Sequence, residues 1–216
     1  PQKTIVLPPE THDQGFAMTS SFSTMLLTAV AIFDRNANGA EMMCQLADAF
    51  DAHIPSFLAD AQTMPKRVVY VGSGALAFAA RESSLKSLEL TAGQIPSLWD
   101  SSLGFRHGPK SFVLADTAIV VLMSSDPYTR QYDIDLVSEL HAQFPDNRVI
   151  SIGPDGMLAQ ELHGPDVWNA PIYVAFAQLQ GALWSHALGL NVDNPFDGKG
   201  TLSRVVDGVK LYEVRA

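Results

Sequence analysis

Two glutamates and one histidine carry the chemistry that can be read most directly from this chain. The stretch "ESSLKSLE" holds Glu82 and Glu89. They stand seven residues apart, two turns of a helix, so both fall on one helical face. Leu85 and Leu88 lie between them. A carboxylate at the edge of apolar surface is expected to have a raised pKa and to serve as a general base. The other reading is a solvated face, because Lys86 lies beside them, and for an isolated helix that reading prevails. The histidine is His107, in "SSLGFRHGPKS". Gly108 and Pro109 fix a turn that presents its imidazole rigidly. Arg106 and Lys110 are expected to keep the local field positive, favouring neutral imidazole and drawing in an anionic ligand. Taken alone, a histidine is more often structural. His53, His141 and His186 fall within helical stretches and lack unusual neighbours.

Two loops could hold an anion or a sugar. "VGSGALAF" places Gly72, Ser73 and Gly74 after a strand-like run, where small residues let backbone N–H groups approach a ligand at a helix start. It lacks the third spaced glycine of a dinucleotide fingerprint and reads equally as a tight strand-to-helix turn. "SSDPYTR" offers Ser124, Ser125 and Thr129, whose hydroxyls and nearby amides suit a phosphate or a sugar hydroxyl. It reads equally as an ordinary N-cap cluster with Pro127 in the first turn. With no paired cysteines, no H-x-x-x-H and no acidic calcium loop, no metal is expected. No cofactor is expected either, and no G-x-S-x-G elbow points to a hydrolase triad.

These residues need elements to position them. "KTIVLPP" reads as a strand, and helices follow over "MTSSFSTMLLTAVAIF" and "AEMMCQLADAFDAHIPSFLADA". From about residue 65 the rhythm changes. Strands "RVVYVG", "IPSLWDS", "TAIVVLMSS" and "RVISIG" alternate with helices "ALAFAARESSLKSLELTAG", a short one near "GPKSFV", "YTRQYDIDLVSELHAQF" and "VWNAPIYVAFAQLQGALWSHALGL". Gly93 is the expected stop of the first of these. Strand–helix alternation with continuous apolar strands predicts right-handed βαβ units and a doubly wound parallel sheet, here of five strands. Ligands of such sheets sit beyond the carboxyl ends of the strands, where "GSGAL", "SSDPYTR" and "GPDG" fall. The tail from residue 191 is irregular. The opening strand has nothing before it to pair with, so the chain is expected to be a piece of a longer protein.

The chain has 216 residues, 47% of them hydrophobic, which is enough for a sizeable core. Its net charge of −9 argues against broad binding to nucleic acid or an anionic membrane. A local pocket can still oppose that field and take a small anion. The single cysteine, Cys44, excludes an internal disulfide framework and fits a reducing cytoplasm. The apolar part of the first helix is far shorter than the roughly 20 residues of a membrane span.

Together, "VGSG…ARESSLKSLELTAG…LGFRHGPKS" resembles the sugar isomerase (SIS) domain of phosphosugar enzymes. "ETHDQGFAMTSSFSTMLL", "SSDPYTRQYD" and "TLSRVVDGV" are similar, more narrowly, to the galactosamine-6-phosphate deaminase family, also called tagatose-6-phosphate ketose/aldose isomerases. The resemblance covers essentially the whole chain. It implies a flavodoxin-like α/β fold and two SIS domains. Residues 1–64 would be the end of the first, 65–190 the second, and 191–216 a tail contributing to the active site. It also implies roles. Glu89 matches the proton-transferring glutamate, His107 the ring-opening histidine, and Glu82 a glutamate that orients the sugar. The tail position that holds a lysine in the related synthase is Arg204 here, which cannot form a Schiff base and is given an electrostatic or hydroxyl-binding role. The family's phosphate loop, S-x-S-G-x-[ST], does not occur in this chain, and "SSDPYTR" stands at the equivalent place in the second domain without the glycine. The histidine of related enzymes reaches a neighbouring subunit's site, which implies a homodimer. The implied reaction converts galactosamine 6-phosphate to tagatose 6-phosphate and ammonia. The alternatives are plain hexose-phosphate isomerisation and a sugar-phosphate sensor that binds without turnover.

Overall fold

In a computed structural model, residues 4–156, 164–198 and the single positions 202, 210, 212 and 213 are described. Arg204 lies outside them, as does most of the tail beyond residue 198. Two helices come first, α1 (Ser20–Phe33) and α2 (Gly39–Ala61). The α/β part follows as β1 (Arg67–Gly72), α3 (Ala75–Leu90), β2 (Ser97–Asp100), α4 (Ser102–Phe105), β3 (Thr117–Leu122), α5 (Pro127–Gln143), β4 (Arg148–Ile152) and α6 (Asp166–Ala187). Pro109–Phe112 forms a 3-10 turn where a short helix is expected.

The sheet is wholly parallel with strand order β2-β1-β3-β4. It has four strands among the described residues, not five. Residues 4–8 carry strand-like side chains but pair with nothing, and Ile5 and Val6 are exposed. Pro8 and Pro9 also lack the N–H that a ladder requires. The central strand β3 is buried along its whole length, which its unbroken apolar sequence requires of a strand covered on both faces.

Two layers cover the sheet. On one face Val68, Tyr70, Val120 and Leu122 pack with α3, α6 and, beyond them, α2. On the other, Val69, Val71, Ile119 and Val121 pack with Phe105 of α4 and with Leu136 and Leu140 of α5. Side chains of a strand alternate between faces, so each apolar strand feeds both layers. Among the described residues no helix is long and apolar enough to cross a membrane.

Helix α3 inverts its expected amphipathicity. Its buried positions include Ala79, Ala80, Ser83, Ser84 and Ser87, while Leu85 and Leu88 are exposed. Small residues let α3 lie close against α6 and the sheet. A Cβ at Gly181 of α6 would stand 2.7 Å from Leu90 Cδ1 and 3.3 Å from the Lys86 carbonyl oxygen. The buried hydroxyls find partners: Ser87 Oγ and Tyr70 Oη lie 2.7 Å apart, Tyr70 also donates to Gln180 Oε1 at 2.8 Å, and Ser84 Oγ lies 2.8 Å from Ser97 Oγ. Burial in this apolar setting pushes the Tyr70 hydroxyl far above its usual range, so it stays a neutral donor.

Candidate active site

Glu82 and Glu89 share one face of α3, with Lys86 between them. Lys86 is 3% exposed, and its Nζ lies 2.7 Å from Glu89 Oε2 and 3.2 Å from Glu82 Oε1. Its position beside both glutamates in the sequence suggests a solvated face. The structure makes it a buried cation that holds both carboxylates. The expectation that Leu85 and Leu88 desolvate Glu89 fails, because both leucines point outward and the neighbour of Glu89 is an ammonium. The signal was present in the spacing: a lysine four residues after one glutamate and three before another can reach both.

Leu90, next to Glu89, lines a cleft of about 270 Å3 with Asp13, Gln14, Gly15, Ala17, Thr19, Gln178, Ala182, Val192 and Asp193. The N-terminal segment thus meets the end of α3 and the middle of α6. Its shape depends on Asp13, which stands seven residues before the start of α1. Asp13 accepts the backbone amides of Thr19, Ser20 and Ser21 at 2.9, 3.1 and 2.8 Å and the Thr19 hydroxyl at 2.7 Å. These are the orphan donors of the helix start, and a negative charge there also suits the helix dipole. Partial burial pushes the Asp13 carboxyl up, but the bonds from Thr19 and Ser21 outweigh it and hold the pKa at about 2, below the ordinary 3.8. A depressed folded-state value means that the contribution is complete above pH 4 and is lost as the pH falls toward 2. Asp13→Ala is therefore expected to destabilise the protein by about 1 kcal/mol at pH 7, the worth of a helix cap. Melting curves should show that gap closing as the pH is lowered through 4 to 2.

A larger cavity, about 500 Å3, lies between α1, α2 and α6. Leu27, Met43, Leu46, Phe50 and Ile172 make it an apolar groove, with Glu10 its single ionisable lining residue. The smaller cleft is the better candidate because Asp13, Gln14, Gln178 and Asp193 make it the more polar of the two and it reaches Leu90, the last residue of α3.

The carboxyl edge of the sheet is a separate place. Glu89 lies fourteen residues into α3, about 21 Å along the axis from its start near Ser73. Gly72 serves the tight turn: a Cβ there would meet the Leu76 carbonyl oxygen at 2.7 Å. The hydroxyls and amides expected to hold phosphate are taken by carboxylates of this chain. Ser73 and Ser102 donate to Asp133 Oδ1 at 2.7 and 2.5 Å, and the Ser124 amide donates to Asp133 Oδ2 at 3.0 Å. Asp166 accepts the Ser124 hydroxyl and the Ser125 amide, both at 2.6 Å. Asp126 caps α5 by accepting the Thr129 amide and hydroxyl at 2.8 and 2.6 Å, with Pro127 at the first helical position. Of the two readings of "SSDPYTR", the N-cap is the one observed. A cleft of about 280 Å3 remains over this edge, between Ser73, Ser101, Ser102 and the ring pair Tyr128–Tyr132.

His107 is exposed on the turn after α4, where Gly108 adopts φ +119° and Pro109 opens the 3-10 turn. Its basic neighbours do not project a free positive field. Lys110 hydrogen-bonds Glu139 of α5. Arg106 Nε stands 2.9 Å from the same glutamate, an ion pair with poor hydrogen-bond alignment. That pairing holds the Glu139 carboxyl below its usual range. It also fixes the His107 turn on the α5 side of the sheet, whereas Glu89 stands on the α3–α6 side. One chain therefore does not bring Glu89 and His107 together.

No protein-family model matches the chain. D-galactosamine-6-phosphate deaminase AgaS of Escherichia coli O157:H7 is 42% identical over 98% of this chain and 59% of its own length. The crystal structure of tagatose-6-phosphate ketose/aldose isomerase from Escherichia coli superposes with a TM-score of 0.81 at 40% identity, covering 88% of this chain and 56% of that one. A Clostridium novyi structure assigned the same name gives a TM-score of 0.86 at 34% identity, over 98% and 59%. The chain thus spans rather more than half the length of the proteins that it matches. Similarity of sequence over nearly the whole chain, with the same backbone, agrees with the resemblance carried by "ARESSLKSLELTAG" and "FRHGP": the chain belongs to the family of the AgaS galactosamine-6-phosphate deaminases and tagatose-6-phosphate ketose/aldose isomerases.

Proposed function

We propose that the protein acts on galactosamine 6-phosphate, converting it to tagatose 6-phosphate and ammonia through an aldose–ketose isomerisation. The observation that carries this reading is 42% identity over 98% of the chain to a protein named for that substrate. In this mechanism His107 donates a proton to the ring oxygen and accepts one from the C1 hydroxyl, opening the sugar to its aldehyde. Glu89 takes the C2 proton and returns it to C1. C1 is thereby reduced and C2 oxidised, leaving an imine at C2. Water adds to that carbon, and ammonia leaves with the electron pair of the C–N bond. Glu82 orients the sugar, and Lys86 keeps both carboxylates in place. Arg204 has an electrostatic or hydroxyl-binding role from the tail. Gly72, Ser73, Ser124, Ser125 and Thr129 shape the carboxyl edge of the domain around their internal aspartates.

The domain division follows the same reading: residues 1–64 close a first SIS domain, 65–190 form the second, and 191–216 reach back to the site. The setting is cytoplasmic. The active unit is a homodimer in which His107 of one copy completes the site of Glu89 in the other. The placement of these two residues on opposite faces supports this, as does an exposed stripe of Phe78, Leu85 and Leu88 on α3 beside Trp99 of β2. Mixing separately inactive Glu89→Gln and His107→Asn proteins, after dissociation and reassociation, is then expected to restore activity. Half of the dimers would be mixed and each would hold one complete site, giving about a quarter of the parental rate. No recovery in the mixture would place both residues within one chain's site or remove one of them from it.

Proton NMR of galactosamine 6-phosphate in heavy water with the protein tests the reaction itself. Appearance of a ketose phosphate with release of ammonia supports it. An unchanged spectrum with no exchange at C2 sinks it, and binding without exchange would favour a sensor.

A further inference from the structure

We infer that Gln178 is a sugar-contacting residue, its carboxamide nitrogen donating to a hydroxyl oxygen of the hexose phosphate. This rests on the functional reading above. Two glutamines stand close together on α6. Gln180 is fully used: its Oε1 accepts the Tyr70 hydroxyl at 2.8 Å and its Nε2 donates to Asp60 at 3.4 Å. Gln178, just over half a turn away, has a buried Nε2 with no hydrogen-bond partner. Buried side-chain donors are nearly always paired, so an orphan at the wall of a cavity marks a place where a ligand acceptor belongs. Gln178 borders both the apolar groove and the 270 Å3 cleft. The groove carries hydroxyls at Thr11, Thr19, Ser20, Ser23 and Thr24, but Leu27, Met43, Leu46, Phe50 and Ile172 leave it mostly apolar.

The cleft is the more polar side, and its lining joins Gln178 to Leu90 at the end of α3. Gln178 and Ala182, one turn apart on α6, both line it, and Gly181 between them packs on Leu90 and the Lys86 carbonyl oxygen. Gln178 therefore faces the last turn of α3, which carries Glu89. The Asp13 carboxylate, which also lines the cleft, is already engaged by the start of α1. A cleft of this size sits at the small end of ligand pockets, about 300–1,000 Å3, and suits one sugar rather than a nucleotide. A fixed amide donor there discriminates against sugars that present no acceptor at that position.

The test is isothermal titration of the protein and of Gln178→Met with galactosamine 6-phosphate and, separately, with inorganic phosphate. Methionine keeps the volume and removes the donor. Affinity for the sugar phosphate is expected to fall tenfold or more, affinity for inorganic phosphate to stay unchanged, and the melting temperature of the free protein to hold or rise. Gln178→Leu, which also removes the donor but packs differently, is expected to lose the sugar in the same way and guards against a packing defect in the methionine variant. Sugar affinity within twofold of the unsubstituted protein in both variants overturns the assignment while leaving the functional reading intact. Failure of the unsubstituted protein to bind galactosamine 6-phosphate overturns the functional reading and this assignment together.

Discussion

Replacing Glu89 with glutamine is expected to lower the rate of galactosamine 6-phosphate conversion by about 10³-fold, within the range that a positioned general base supplies. Glutamine keeps the length and planarity of the side chain but cannot take a proton from C2. The fold should survive, because Lys86 retains Glu82 at 3.2 Å as a partner and Glu89 sits at the rim of α3 with a quarter of its side chain exposed. The loss should therefore appear in kcat with KM within a few-fold. Exchange of the C2 hydrogen with heavy water should stop, while ring opening, assigned to His107, continues. A variant that still exchanges C2 hydrogen at the parental rate would remove Glu89 from the proton transfer.

The largest stability effect is expected at Asp133. This carboxylate is fully buried and joins three loops at the carboxyl edge by accepting from Ser73, Ser102 and the Ser124 amide. Asp133→Ala leaves those donors buried without an acceptor. Each orphan costs about 1–3 kcal/mol, and the two hydroxyls can partly reorient, so a total of about 3–5 kcal/mol is expected. At about 2–4 °C per kcal/mol for a domain of this size, the melting temperature should fall by about 10 °C. Asp133→Asn retains one acceptor oxygen and should lose less. Thermal melts followed by circular dichroism decide the matter: a fall of only about 2 °C, the equivalent of a surface change, would mean that the network is not structural. The contrast with Glu89 separates the two carboxylates, one expected to govern rate at constant stability and the other stability.

Much of the fold was legible because its determinants are local. Continuous apolar runs such as "TAIVVL" and "RVISI" specify strands buried on both faces, and their alternation with helices allows little besides a parallel sheet. Caps were legible only in part: the N-cap reading of "SSDPYTR" stood level with an anion site, and α3 ends at Leu90 with Thr91 as its C-cap, two residues before Gly93. Residues 4–8 form no strand because side-chain character sets strand tendency while a ladder needs a partner. Leu85 and Leu88 are exposed because α3 packs through small residues, a choice fixed by how closely α6 approaches.

The candidate site divides in the same way. The sequence by itself determined the residue types and their helical register: Glu82 and Glu89 on one face, Lys86 within reach of both, His107 on a glycine–proline turn. Tertiary structure alone decided what each of these meets. It buried Lys86 between the carboxylates, filled the "SSDPYTR" loop with the chain's own aspartates, and joined Arg106 and Lys110 to Glu139. It also set Glu89 and His107 on opposite faces of the sheet and left the Gln178 amide without a partner beside the cleft. The physical reason is range. Register and caps follow from bonds within a few residues, whereas burial and charge pairing depend on segments that lie far apart in the chain and meet only when the layers close.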